Sequence, residues 1–327
     1  MPFDDRLPRH AADTTYHAQE RVIVLCGSLR AGTTLLRLML GEHPRIAGTG
    51  ENDYLFDGLD AAQIGSGGTD AERAAFRARI IEDRVPKQQN VTPPAIRPVH
   101  EMASAMIDEI MPEAGFLLLT LHRHFDLAAQ ILPNARFLRL TRDPRDVALS
   151  AKRMGWAGNP FYGVDAWRDS ARDWAAAAPH VRGPVTTLRF EDLTAAPEDS
   201  MVRVFDELDL PFDRAVLSPP DTSTYSAPHG GRAAAWRGEL TEAQAAEIDW
   251  RCRDLPDEGY ERHPEKPSVL RLIALGLGHK MGRASFGIGR YGLPLWAAQI
   301  LSRRLPAPAL ARDVRQRVDR IDTLHLK

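Results

Sequence analysis

Cysteine is scarce in this 327-residue chain: there are two, Cys26 and Cys252, far apart and without a metal-ligand spacing. A disulfide framework and a zinc site are therefore not expected, and a reducing compartment fits better than an oxidising one. Long apolar runs are missing too. Met1 to Glu20 is polar and mixed in charge, without the apolar stretch of a signal peptide. The most apolar late stretch, Tyr291 to Ser302, falls short of the roughly 20 residues that cross a bilayer. A cytoplasmic location is expected. Neither sign of charge dominates, since 42 Lys and Arg stand against 44 Asp and Glu, so there is no global footprint for nucleic acid and none is expected as a partner. Apolar residues at 43% and charged residues at 26% are ordinary globular values, which argues against disorder, collagen and coiled coil.

The charge that is present is unevenly placed. Residues 263–327 hold 12 Lys and Arg against 4 Asp and Glu, a net +8, and residues 1–262 carry the balancing −10. The expected organisation is an N-terminal arm over 1–20, a principal domain over 21–262 and a basic, partly amphipathic helical extension over 263–327.

Val22-Ile23-Val24-Leu25 is the β-branched and aliphatic run of a strand buried on both faces. A Gly-rich turn follows at Gly27, then a helix from about Thr33 with Leu35, Leu36, Met39 and Leu40 at helical spacing, ended at His43-Pro44. Phe116 to Leu121, Arg136 to Thr141 and Val185 to Leu188 read as further strands, with a short helix from Phe125 to Leu132 between the first two. Asp143 caps the next helix with Pro144 at its first position, and Pro197 to Leu208 is an amphipathic helix with Val202, Phe205 and Leu208 turned inward. This alternation predicts an α/β fold, P-loop-like and three-layered, with a central parallel sheet and flanking helices. Residues 60–115, with Gly65-Ser66-Gly67-Gly68, a charged helix over Asp70 to Glu82 and several prolines, read as a variable insertion over the sheet edge on the acceptor side.

Gly27-Ser28-Leu29-Arg30-Ala31-Gly32-Thr33-Thr34 has the spacing of a phosphate loop. Backbone N–H groups and the dipole of the following helix converge there on a small volume and stabilise an anion. Thr33 takes the place of the Lys that reaches the β- and γ-phosphates of a triphosphate, so a group of lower charge suits the cradle. A second candidate lies at Arg142-Asp143-Pro144-Arg145-Asp146-Val147-Ala148-Leu149-Ser150, where Arg142 ends a buried strand on the edge at which α/β sheets bind ligands. The same segment is also consistent with a capped helix start bearing surface ion pairs.

Arg30-Ala31-Gly32-Thr33-Thr34, continued by Leu35 to Leu40, His43-Pro44 and Gly50-Glu51, resembles the sulfotransferases that use 3′-phosphoadenosine 5′-phosphosulfate (PAPS), in particular the tyrosylprotein-type and related bacterial branches. The resemblance covers about residues 21–260. It implies that Ser28, Arg30, Ala31, Gly32, Thr33 and Thr34 hold the 5′ end of the nucleotide and that Arg142 and Ser150 hold its 3′-phosphate. Phe190-Glu191-Asp192-Leu193 is similar to the family's Tyr-Glu-Asp-Leu segment, with Phe190 lacking the phenolic hydroxyl. His229-Gly230-Gly231-Arg232-Ala233-Ala234-Ala235-Trp236-Arg237 resembles the late loop that closes on the 3′-phosphate, which implies contacts from Gly231, Arg232 and Trp236; Trp236 as a core residue is the other reading.

The resemblance implies transfer of the sulfuryl group from PAPS to a hydroxyl, releasing 3′-phosphoadenosine 5′-phosphate (PAP). Such a transfer needs in-line positioning, donors for spread negative charge and a base for the acceptor proton. Arg30 and the loop N–H groups supply the charge stabilisation, and metal independence is expected. Two bases compete. Gly50-Glu51 stands where tyrosylprotein-type enzymes carry a catalytic Glu, and Thr120-Leu121-His122 resembles the Lys-Thr-His segment of cytosolic sulfotransferases, with Thr120 in the place of Lys and Arg30, Arg123 or His124 as substitutes for its charge. Glu51 is the preferred base. The acceptor is open among a small molecule, a glycan, a lipid and a tyrosine. The basic tail reads either as a helical extension packed on the body or a partner subunit, or as a peripheral membrane contact. A P-loop-type small-molecule kinase and an inactive nucleotide-binding scaffold are the alternative functions.

Overall fold

In the computed structural model, residues 19–220, 233–302, 304 and 308–325 are described. The chain divides into two units, one made of the described residues up to Arg142 with Trp167–Ala233, the other of Asp143–Ala166 with the residues from Ala234 onward.

The first unit is built on five strands: β1 (Val22–Gly27), β2 (Ile46–Glu51), β3 (Phe116–Leu121), β4 (Arg136–Thr141) and β5 (Val185–Arg189). Their order is β2-β3-β1-β4-β5 and every pairing is parallel. All six residues of β1 and of β3 are buried, as their unbroken aliphatic runs predict for strands covered on both faces. On one face Ile23, Leu25, Leu118 and Leu138 pack against Leu36, Met39 and Leu40 of the helix Thr33–Gly41 and against Met201, Val204 and Phe205 of the helix Pro197–Glu207. The inward face of that second helix is therefore Met201, Val204, Phe205 and Leu208, and Val202 lies only partly buried beside it. On the other face Val22, Val24, Leu117 and Leu119 pack against the helices Val99–Glu109 and Phe125–Ile131. Each such aliphatic side chain contributes about 1.5–3 kcal/mol when fully buried.

Four of the five strands lie where the sequence pattern puts them. β2 does not follow from it. Ile46-Ala47-Gly48-Thr49-Gly50-Glu51 has a single buried side chain, Ile46, and a register shift between Gly48 and Glu51. As an edge strand it is bonded on one side only, so neither alternation nor an apolar run is required of it. Between β2 and β3 the insertion is helical, with elements at Ala61–Ser66, Asp70–Glu82, Arg84–Gln88 and Val99–Glu109. Ile64, Phe76, Ile80 and Met102 join the core on the β1 and β3 side.

In the second unit the helix Pro144–Arg153 starts as expected, with the Asp143 carboxylate accepting from the Arg145 N–H at 2.9 Å. The basic extension consists of a helix Val269–Ser302, kinked at Gly292 where φ is 75°, and a helix Pro308–His325. Among the described residues no helix is long and apolar enough to cross a membrane.

Candidate active site

The loop after β1 turns through two left-handed residues, Arg30 at φ 73° and Gly32 at φ 104°. Short bonds from Ala31 N–H to the Ser28 carbonyl (3.0 Å) and from Leu36 N–H to the Gly32 carbonyl (3.1 Å) set the turn and start the helix. The helix Thr33–Gly41 has no side-chain cap and no acidic residue in its first turn. Its first N–H groups and the positive end of its dipole are thus left for an outside anion. Ser28 Oγ at the mouth of this turn is buried with no hydrogen-bond partner among the described residues, an arrangement that costs energy unless a ligand oxygen satisfies it. Ala31 and Thr33 are buried, Thr34 partly so.

Phe190 and Arg142 complete this corner. A methyl group at Gly32 would stand 2.5 Å from Phe190 Cδ2, so only glycine allows the ring to approach. The Arg142 guanidinium lies over the other part of this packing, 4.2 Å from the Phe190 ring centroid, and its Nη1 donates to the Arg30 carbonyl at 3.1 Å. The ring packs its Cδ2 and Cε2 atoms against the Gly32 backbone and presents its face to the cation. In this chain the missing phenolic hydroxyl leaves that support intact.

The carboxyl ends of β2 and β3 are laced together. Asn52 N–H donates to the Thr120 carbonyl at 2.9 Å, and Thr120 N–H donates to Asn52 Oδ1 at 3.0 Å. Asp53 Oδ1 accepts the backbone N–H of His122 at 2.8 Å and of Arg123 at 3.1 Å. Together these contacts bring Glu51 and His122 face to face, with Glu51 Oε1 3.4 Å from His122 Nε2. That is an ion-pair distance without the direction of a well-formed hydrogen bond. On its other side the imidazole Nδ1 lies 3.2 Å from the Gly27 carbonyl. A carbonyl only accepts, so Nδ1 carries a proton and the ring turns Nε2 toward the carboxylate.

The electrostatics agree with this. The His122 contact lowers the Glu51 pKa more than burial raises it, and Arg37 and Arg123 lower it further. Burial opposes charging of His122, yet Glu51 and Asp53 together hold its pKa above the ordinary imidazole value. The two differ in access: the His122 side chain is 4% exposed and that of Glu51 is 55% exposed. Thr120, standing in the place of the Lys of the Lys-Thr-His pattern, is buried with its hydroxyl lacking a partner among the described residues. Arg123 is engaged by Asp57 through two bonds of 2.8 and 2.7 Å, and His124 Nε2 lies 2.9 Å from the same carboxylate. Burial works against the Asp57 charge, but these two partners hold its pKa down to about 2.

Ser150 and Trp236 belong to the second unit. Ser150 is partly buried on the helix Pro144–Arg153. Trp236 is not a core residue: its Nε1–H donates to Asp143 at 2.9 Å, its backbone N–H to Asp146 at 2.9 Å, and Arg145 lies 3.8 Å over its partly exposed ring. Gly231 and Arg232, with His229, fall outside the described residues.

The profile of the family described as Sulfotransferase family matches residues 22–214. The chain belongs to the sulfotransferase family. The chain is also similar, at low identity, to solved structures. The sulfotransferase domain from the Synechococcus PCC 7002 olefin synthase is 20% identical over 72% of this chain and 95% of that one, at a TM-score of 0.48. The sulfotransferase domain from the curacin biosynthetic pathway is 17% identical over 72% and 98%, at 0.49. Retinol dehydratase, in complex with androsterone and the inactive cofactor PAP, is 14% identical over 78% and 85%, at 0.41. Among curated proteins no sequence matches.

Several residues of this candidate site escape sequence reasoning. Asp53 and Asp57 position the segment after β3, Arg37 lends charge to Glu51, and Gln89 donates to the Glu51 carbonyl at 3.0 Å. Asp53 and Asp57 had one available signal, two carboxylates closely following Glu51 at a strand end. Gln89 had none, because it arrives from the helical insertion.

Proposed function

We propose that the protein transfers the sulfuryl group of PAPS to a hydroxyl of its acceptor, with PAP as the leaving product. The observation that carries this reading is the chain of contacts from Gly27 through His122 to Glu51, which ties an acid–base pair to the first residue of the anion loop. In this reading the loop N–H groups, Ser28, Thr33 and Thr34 hold the 5′-phosphosulfate, and Arg30 offsets charge on the departing phosphate. The orphaned Ser28 hydroxyl and the uncapped helix start fit such an anion. Arg142, held on Phe190, takes the 3′-phosphate. Ser150, Gly231, Arg232 and Trp236 keep the nucleotide roles that the resemblance implies.

Glu51 is the base. The acceptor hydroxyl gives its proton to the accessible carboxylate as its oxygen attacks sulfur, the bond from sulfur to the phosphate oxygen breaks, and the electron pair leaves with PAP. His122, protonated and buried, orients Glu51 and contributes positive charge beside the reacting groups. No step calls for a metal. The test is incubation with radiolabelled PAPS and a panel of phenols, sugars, lipids and tyrosine peptides. Label appearing in an acceptor, together with PAP, is expected. PAPS bound but never consumed across the panel would favour an inactive nucleotide-binding scaffold, and turnover of ATP with magnesium a kinase.

A further inference from the structure

We propose that the C-terminal helical extension docks on an anionic lipid bilayer. Along the helix Val269–Ser302, Leu270, Ile273, Leu277, Met281 and Ile288 recur at spacings of three, four, four and seven residues, which places them on one face. That face is bare: Leu270 is 79% exposed, Leu277 58% and Met281 72%. The opposite side is packed. Leu275 O accepts from Asn159 Nδ2 at 2.8 Å, His279 Nδ1 from Gly158 N–H at 3.2 Å, and a methyl group on Gly282 would meet the Gly158 backbone at 2.4 Å. The apolar face is therefore not a core face that lost its partner within this unit.

The same unit holds a cavity of about 790 Å³. Lys280, Arg283, Arg290 and Arg304 line it with a single acidic residue, Asp322, beside walls that include Phe286 and Trp296. Asp322 is taken by Arg290 at 2.9 Å and by the Tyr291 hydroxyl at 2.9 Å. Lys280, Arg283 and Arg304 have no acidic partner among the described residues. His279 is also in the cavity wall, where burial and then Arg283 lower its pKa.

An apolar stripe on the helix Val269–Ser302, with Lys280 and Arg283 on the same helix and Arg304 just after it, matches the two layers of an anionic membrane surface, acyl boundary and phosphate. The net +8 of residues 263–327 gives the same sign over the whole extension. Among the described residues no helix is long and apolar enough to cross the bilayer, so the proposed contact is peripheral. Lipid phosphates enter the cavity mouth and the stripe rests between head groups and chains.

Co-sedimentation of the full chain with vesicles tests this. Vesicles of phosphatidylcholine mixed with phosphatidylglycerol are expected to bind it at least about tenfold better than phosphatidylcholine alone, with loss in high salt. Lys280→Glu with Arg283→Glu, and separately Leu277→Gln with Met281→Gln, are each expected to weaken binding by about tenfold or more with the circular dichroism spectrum unchanged. Absence of binding to mixed vesicles, or binding that neither pair of substitutions alters, overturns the proposal. So does a stable dimer that Leu277→Gln with Met281→Gln dissociates while vesicle binding is absent, because the stripe is then an interface between copies of the chain.

Discussion

The carboxylate of Glu51 stands 3.4 Å from Nε2 of His122, whose Nδ1 lies 3.2 Å from the Gly27 carbonyl. Two residues from neighbouring strand ends thus meet, and they form the acid–base unit of the proposed reaction. Glu51→Gln is expected to cut turnover by about 10²–10⁴, the usual worth of a general base, with nucleotide affinity near wild type. It also removes a group that holds the His122 pKa up. The imidazole titration, followed by NMR, should therefore sit above the ordinary 6.5 in the wild type and move down in the variant. An imidazole that titrates alike in both would show that the pair is not coupled.

Stability should carry the same signature. The folded pKa of His122 lies above its ordinary 6.5, so its contribution is complete below that value and fades as pH rises through the folded one. The folded pKa of Glu51 lies below its ordinary 4.5, so its contribution is complete above that value and fades as pH falls through the folded one. The stability difference between wild type and His122→Gln should be largest between pH 4.5 and 6.5 and shrink on either side. Urea midpoints measured across pH check this, and a difference independent of pH would contradict it.

Gly32 combines φ 104° with a phenyl ring in the place of a side chain. Gly32→Ala is expected to cost about 1–3 kcal/mol from the backbone alone, with a further loss from overlap with Phe190. In a double-mutant cycle, Phe190→Ala should recover the overlap part and leave the backbone part. Denaturant unfolding of the four proteins provides the numbers; strict additivity would mean that ring and loop do not interact.

Much of this architecture could be read directly from residue pattern. β1 and β3 announce themselves as apolar runs because both of their faces are buried, β4 shows through Phe137, Leu138 and Leu140 set among its two arginines, and Asp143-Pro144 marks a helix start through its own local chemistry. β2 carries Glu51 and remained hidden, since an edge strand with two glycines has neither period nor bulk. The site divides in the same way. Gly32, Thr33, Arg142 and Glu51 sit in contiguous motifs, whereas the roles of Asp53, Asp57 and Gln89 depend on contacts from distant segments. The contact between Glu51 and His122 is legible at neither strand end alone, because their separation depends on the β2 and β3 pairing.

Arg142 is the proposed reader of the 3′-phosphate, held by the Phe190 ring and the Arg30 carbonyl. Arg142→Ala should weaken PAP by several-fold to about a hundredfold, the worth of a charge-assisted bond, with a much smaller effect on adenosine 5′-phosphate. Fluorescence or calorimetric titration of both nucleotides against both proteins decides this. Equal losses would show that Arg142 does not sense the 3′-phosphate.

Calorimetric titration of the wild-type chain with PAP, and separately with ATP and magnesium, probes the assignment most directly. PAP is expected to bind at least about tenfold more tightly, since a 3′-phosphate adds a charge-assisted contact that ATP cannot make. ATP with magnesium held more tightly than PAP would contradict the assignment of a PAPS-dependent sulfotransferase.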